Sequence, residues 1–255
     1  MQQGPQNGST EIGRLRPFLA NLASHVHLGE ADLRGIAQLV TECRKVPQRT
    51  ELVQGKQQSG EVQVILSGFA CRIKTLHDRR QITSYLIPGD ICDHRYLADR
   101  APDQSVCAIS AVEVAHIPVE ALTDLCERQP RIMRALLRVS AIDSAIAAEW
   151  MVNLGLRTAQ QRVAQLFCEL YARLRVVQLA GSQAFDLPLT QAELGEALGL
   201  STVHVNRTLQ DLRRREVLTF RSGRAILHDR QKLAEIAAFD SHYLGLSDPT
   251  PNEAA

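Results

Sequence analysis

The chain has 255 residues, of which 45% are hydrophobic, enough for two domains that each bury a core. Its formal net charge is +1, with a pI near 7.7, so no protein-wide field points to a polyanionic partner and any nucleic-acid surface has to be local. The six cysteines (Cys43, Cys71, Cys92, Cys107, Cys126 and Cys168) stand singly with no C-x-x-C pair, which excludes zinc-knuckle spacing and a compact disulfide framework. They read as reduced thiols, several of them buried as small hydrophobes.

Met1–Thr10 is polar, carries Gly and Pro, and has no apolar run behind it, so it reads as a disordered tail rather than a signal peptide. No run of about 18 apolar residues marks a membrane span, and the expected location is the cytoplasm. From Glu11 to Cys43 apolar residues recur at helical spacing, first Leu15, Phe18, Leu19 and Leu22, then Leu33, Ile36, Leu39 and Val40. Glu30 and Asp32 suit the N-terminal dipole of the second helix. Near Lys45 the pattern breaks into β-rich runs: Val62–Leu66, Ala70–Lys74 and Val112–Ile117. Gly55, Ser59-Gly60, Ser67-Gly68 and Pro88-Gly89 bound them as turns. Short strands between turns predict an antiparallel sandwich or roll of about seventy residues.

After Pro118 helical periodicity returns. Pro130 suits the first turn of a long helix, and Ile132, Leu136, Val139, Ile142 and Ile146 form its apolar stripe. Met133, Leu137, Ala145, Ala148 and Met151 widen that stripe beyond one contact surface. Such a helix can touch its own domain and a second copy; burial within one chain is the alternative. Arg157–Leu174 follows as an amphipathic helix with Val163, Leu166, Phe167, Leu170 and Leu174 inside.

The segment that carries function begins at Thr190. Thr190-Gln191-Ala192-Glu193 is a capping box, and its helix runs through Leu194 and Leu198 to Gly199, which can take a left-handed exit. Leu200 plugs the corner, and Ser201 caps a second helix from Thr202 to about Arg214 with Val205, Leu209 and Leu212 inside. Small Ala192 and Gly195 suit a close helix crossing. Two short helices joined by a Gly-containing turn make a helix-turn-helix; an αα-hairpin without a DNA role is the plainer alternative. Thr202, Val203, Asn206, Arg207 and Gln210 face outward with groups that can address base edges. Thr190, Ser201, His204, Arg213 and Arg221 are the candidate phosphate contacts, with Arg214, Arg215 and Arg224 adding local charge. Val217–Phe220, the turn Arg221-Ser222-Gly223 and Arg224–His228 predict a two-stranded wing.

Over about Phe18–Ala238 the chain resembles the Crp/Fnr family of bacterial transcription regulators, most specifically at Leu189–Leu212, LTQAELGEALGLSTVHVNRTLQDL. The resemblance implies an α+β chain. An antiparallel, jelly-roll-like sensor β-roll with flanking helices leads to a long dimerisation helix and a C-terminal winged helix-turn-helix. The expected partition is a tail over 1–14, a sensor roll over 15–128, the long helix over 129–155, the DNA-binding domain over 156–240 and a flexible tail over 241–255. It further implies a homodimer on a pseudo-palindromic double-stranded DNA operator, with RNA polymerase as a candidate further partner.

Departures from the family pattern narrow the signal. Cyclic-nucleotide-binding members carry Gly-Glu after the Pro-Gly-Asp turn and Arg-Ser further on; here Asp93-His94 and Gln104-Ser105 stand in those places. A carboxylate has appeared and the phosphate-pairing guanidinium is gone, which argues against cyclic nucleotide. Cys92, Asp93, His94, Gln104 and Ser105 therefore remain as an effector-pocket candidate without an assigned ligand. With only Cys43 before Cys71, the cysteine cluster of an iron–sulfur centre is absent, so no such cofactor is expected. His77, His94 and His116 are the histidines weighed as haem ligands, each reading more simply as an ordinary polar residue. In the second helix, family members often carry Arg and Glu where Thr202 and Val203 stand and Arg where Arg207 stands, so a different half-site is expected, with Val203 making an apolar contact.

The competing class is a cupin-like jelly-roll metal enzyme with a helical appendage. It needs a His/Glu cluster, and His94 stands alone beside Asp93 while His116 is isolated. No catalytic constellation is legible, and no metal is expected. Cys92, next to the pocket turn, is the candidate for thiol sensing, set against a buried structural role.

Overall fold

The computed structural model describes residues 13–57 and 59–246; the two expected tails fall largely outside them. The chain divides into two compact units within its longest helix, between Ser140 and Ala141.

The first unit opens with helices α1 (Arg16–Ala23) and α2 (Glu30–Ala37). Their apolar residues Phe18, Leu19, Leu22 and Ile36 are buried, as the spacing required. The roll follows as β1 (Glu42–Val46), β2 (Glu51–Val53), β3 (Glu61–Ser67), β4 (Ala70–Leu76), β5 (Arg79–Leu86), β6 (Ser105–Ala108) and β7 (Val112–Pro118). These strands make two antiparallel sheets, ordered β1-β7-β3 and β2-β6-β4-β5. Strands β1, β2, β5 and β6 carry little sequence alternation, and the roll forms around them because β3, β4 and β7 bury Val62, Val64, Ala70, Val114 and Ile117. At the β3–β4 turn Gly68 has φ +78°, and a Cβ there would stand 2.1 Å from the Ala111 carbonyl oxygen, so only glycine fits.

The Pro88-Gly89-Asp90 turn is laid along β3. Gly89 N–H donates to the Ile65 carbonyl at 2.7 Å, Ile65 N–H to the Asp90 carbonyl at 2.9 Å, and Cys92 N–H to the Gln63 carbonyl at 2.8 Å. The Asp90 carboxylate closes the turn by accepting from Ile87 N–H at 2.7 Å. A short 3-10 helix, Arg95–Ala98, leaves from there. Helix α3 (Val119–Arg128) then leads into α4 (Pro130–Leu156), which starts at the expected proline. Ile132, Ala135, Leu136 and Val139 of α4 join the core of this first unit.

The second unit holds the rest of α4, then α5 (Ala159–Val176), β8 (Ala184–Asp186), α6 (Gln191–Leu198), α7 (Thr202–Arg214), β9 (Leu218–Arg221), β10 (Arg224–Leu227) and α8 (Arg230–Ala237). Helix α5 starts two residues later than its apolar spacing indicated because Thr158 caps it: its hydroxyl accepts from Gln161 N–H, and the Gln161 side chain reaches back. The core is built on Val163, Phe167 and Leu170, with Phe167 edge-on to Phe220 at 5.3 Å between centroids. A 3-10 turn, Ser241–Leu244, closes the described chain.

Candidate nucleic-acid interface

The helix-turn-helix is made by local chemistry at each end of its corner. Thr190 accepts from Glu193 N–H at 3.2 Å while the Glu193 carboxylate takes Thr190 N–H at 2.7 Å, satisfying donors that α6 cannot pair internally. Gly199 lies in the left-handed region at φ +63°, and Ser201 caps α7 by accepting from His204 N–H at 3.2 Å. Each such cap is worth about 1 kcal/mol. Gly195 is the close-crossing residue: a Cβ there would sit 2.5 Å from the Leu200 carbonyl oxygen. Ala192, which by size suited the same crossing, is exposed and takes no part in it.

One anchor was illegible in the sequence. The Arg162 guanidinium donates to the Leu198 carbonyl at 3.0 Å and to the Arg157 carbonyl at 2.9 Å, tying the C-terminal end of α6 to the start of α5. It also neutralises the negative end of the α6 dipole. Beneath lies a buried polar knot. The Glu169 carboxylate accepts from Trp150 Nε1 at 3.0 Å, from the Tyr243 hydroxyl at 3.1 Å and from Arg173 at 3.2 Å. Burial pushes Glu169 above the ordinary carboxylate range, with Arg173 and the hydrogen bonds pulling back; burial and then Glu169 push Tyr243 up.

Helix α7 buries Val205, Thr208, Leu209 and Leu212 and turns Thr202, Val203, His204, Arg207 and Gln210 to the outside. Val203 is 78% exposed, unusual for a β-branched aliphatic on a well-packed helix. Asn206 is half-buried: its amide donates to Gln191 at 3.1 Å and accepts from Gln210 at 2.9 Å. It links the two helices, so base reading from Asn206 requires this pair to open. Arg213 and Arg221 are exposed, as are Thr190 and Ser201. Arg214 pairs with Asp211, and Arg224 with Asp186 at 3.0 Å, so the free positive charge is narrower than the arginine run implied.

The wing is a three-stranded sheet, β8-β10-β9, rather than the two-stranded one expected. Strand β8 was missed because Ala184-Phe185-Asp186 is too short to alternate visibly. Ser222 and Gly223 turn with φ of +51° and +71°, which sends Arg221 out at the wing tip.

The candidate effector pocket has a different character from a ligand cradle. Asp93 is 3% exposed and ion-paired to Arg95 at 2.7 Å, while Arg95 also engages Asp103, and Lys74 reaches Asp103 at 3.7 Å. The Gln104 side-chain Oε1 accepts from the Thr83 hydroxyl at 2.5 Å, and the Ser105 hydroxyl accepts from Gly55 N–H at 3.1 Å. Arg72 is spent on the carbonyls of Cys92 and Ile91, both at 3.1 Å. A buried carboxylate lies there, and the Arg72 and Arg95 guanidiniums are both engaged by the protein itself. Arg72, Arg95 and Asp103, which organise this region, carried no motif. His94 is half-buried. Cys92 is buried and its thiol is pushed up to about 12 by burial, which works against the thiolate form. His116 Nδ1 lies 2.9 Å from the Glu61 carboxylate, an ordinary polar pairing. Among the described residues no cluster of His, Cys, Asp or Glu could hold a metal, and no helix is long and apolar enough to cross a membrane.

A capped helix-turn-helix with an exposed outer face and a wing, following a β-roll, defines a sequence-specific DNA-binding transcription regulator. Residues 161–236 match the Crp-like helix-turn-helix domain and residues 43–129 the cyclic nucleotide-binding domain. The chain is 30% identical over 185 residues to a probable transcriptional activator of Rhizobium leguminosarum bv. viciae, covering 72% of this chain and 76% of that protein. It is 29% identical over 182 residues to the transcriptional activator protein FnrL of Cereibacter sphaeroides, covering 69% and 73%. The solved structure of FixK2 from Bradyrhizobium japonicum superposes with a TM-score of 0.70 at 25% identity, over 79% of this chain and all of that one. The chain belongs to the Crp/Fnr family of transcription regulators. These likenesses favour the regulator over the metal-enzyme alternative.

Proposed function

We propose that the protein binds a pseudo-palindromic operator as a homodimer, with α7 of each copy in a major groove. The observation that carries this reading is the outer face of α7, which combines Val203, Arg207 and Gln210 in the open with Arg213 and Arg221 beside them. Arg207 suits the paired acceptors of guanine, and Val203 suits the thymine methyl. Thr190, Ser201 and His204 lie at helix N-termini, where backbone N–H groups favour phosphate.

Dimerisation is supported by the second face of α4. Met133, Leu137, Ala141, Ser144, Ala148, Met151 and Gly155 are exposed and recur at steps of three and four, the spacing of a helix–helix seam. Leu137 is 63% exposed and Met151 70%, while Ile132, Leu136, Val139 and Ile146 are buried. Small residues between the large ones suit close approach of a second α4. Two copies would set half-sites about 34–36 Å apart, one turn of DNA.

On this reading the roll takes no cyclic nucleotide, because its counterpart of the phosphate site is filled by the Asp93–Arg95–Asp103 ion pairs. With only Cys43 before Cys71 it has no iron–sulfur ligand set, and His77, His94 and His116 serve as ordinary polar residues rather than haem ligands. The protein acts in the cytoplasm, where the chromosome is. That its relatives are named transcriptional activators supports RNA polymerase as a candidate further partner. Selection of bound DNA, together with sedimentation of the purified protein, tests the reading. An enriched palindrome and a dimer are expected; a monomer, or DNA without half-site symmetry, would contradict it.

A further inference from the structure

Strand β6 lies between β2 and β4, and its register with β4 places Cys107 directly opposite Cys71. The pairs Ala70–Ala108 and Arg72–Val106 on either side fix that register without a slip. Directly opposed residues of antiparallel strands project from the same face with Cβ atoms about 4.5–5.5 Å apart; their Cα separation falls inside the span a disulfide bridges, and the bridge draws the Cβ atoms in to about 3.5–4.5 Å. Neither thiol is in a disulfide here.

The other cysteines lack this placement. Cys43 stands opposite Ala115. Burial raises the thiols of Cys126, Cys92 and Cys168, the latter two to about 12. Cys107 is half-buried whereas Cys71 is buried, so the two differ in what can reach them. An oxidant meets Cys107 first, and Cys71 lies behind it as a resolving group.

We propose that Cys71 and Cys107 are a thiol–disulfide site in the β-roll, whose substrate class is the hydroperoxides. The Cys107 thiolate attacks the terminal peroxide oxygen, breaking the O–O bond and releasing water or an alcohol, which leaves a sulfenic acid. The Cys71 thiol, giving up its proton to the departing oxygen, then attacks the Cys107 sulfur. The S–S bond forms, the S–O bond breaks, and the departing hydroxide takes up a proton as water. Two thiols lose two electrons and two protons, and the peroxide is reduced to an alcohol and water. The bridge would pin β4 to β6 beside Arg72, whose guanidinium holds the Ile91 and Cys92 carbonyls, so oxidation is felt in the segment after the Pro-Gly-Asp turn.

The test uses the reduced full-length protein exposed to hydrogen peroxide, with residual thiols alkylated before digestion by trypsin and a glutamate-specific protease. Cleavage after Glu113 separates Cys107 from Cys126. A linked peptide carrying Cys71 and Cys107 is expected, reversed by dithiothreitol and lost in Cys107→Ser, a substitution at a half-buried position. In Cys71→Ala the Cys107 sulfenic acid should persist and be trapped by dimedone. A bridge to a different cysteine would overturn the proposal. So would Cys107 passing to sulfinic acid while wild-type Cys71 is alkylated, or both thiols staying unmodified.

Discussion

The carbonyl oxygen of Leu200 lies 2.5 Å from the point where a Cβ on Gly195 would stand. The corner of the helix-turn-helix is therefore closed against any side chain at position 195, and because the obstacle is backbone, relief requires α6 and the corner to move apart. Gly195→Ala should cost about 1–3 kcal/mol of stability, the range for forcing an extra methyl into a closed contact. Operator affinity should fall with it. Thermal unfolding beside a DNA titration checks both, and an unchanged melting temperature would mean that the corner is looser than this geometry allows.

Reading and holding should separate by mutation. Arg207→Ala should cost about 1–3 kcal/mol of binding and relax one base position in each half-site. Val203→Ala should weaken preference for thymine at its position, since it removes two exposed methyl groups. Arg221→Ala should weaken all sequences evenly and reduce the salt slope by about 1 per wing contact. Competition binding at several salt concentrations distinguishes the two patterns.

The Glu169 knot predicts a pH dependence. Burial raises the Glu169 pKa above its ordinary 4.5, so the folded protein binds more protons there than the unfolded chain. Its contribution to stability is fully present below that unfolded value and is lost as pH rises through the folded one. Glu169→Gln should flatten this fall in the melting temperature between mildly acidic and neutral pH. A parallel wild-type and mutant profile would show that other groups set the slope.

The seam on α4 predicts that Leu137→Glu or Met151→Glu gives a folded monomer, since identical carboxylates would meet across a two-fold axis. With one reading helix per particle, affinity for the full operator should drop by about a hundredfold or more. Sedimentation velocity and a half-site titration test this directly.

Signals confined to a few neighbouring residues were legible in the sequence, and signals made by folding were not. The Thr190–Glu193 box, Gly199 and the Ser201 cap are short-range, so the corner is legible from its own residues. The β3, β4 and β7 strands announced themselves by buried apolar runs, whereas β8 packs through Phe185 alone and left no pattern. Arg162 acts on a carbonyl 36 residues away, and Arg95 acts on Asp103; such pairings have no spacing rule. The same reason explains Cys92. Its place beside the pocket turn suggested sensing, but burial, which only the fold creates, works against its thiolate, while the register that aligns Cys71 with Cys107 becomes visible only once β6 is placed.

Random-sequence DNA selection with the wild-type protein and with Arg207→Ala bears most directly on whether the exposed side of α7 reads an operator. The wild type should enrich two inverted half-sites one helical turn apart, and the mutant should lose information at one symmetric pair of positions. Identical enriched motifs from both proteins would contradict the assignment.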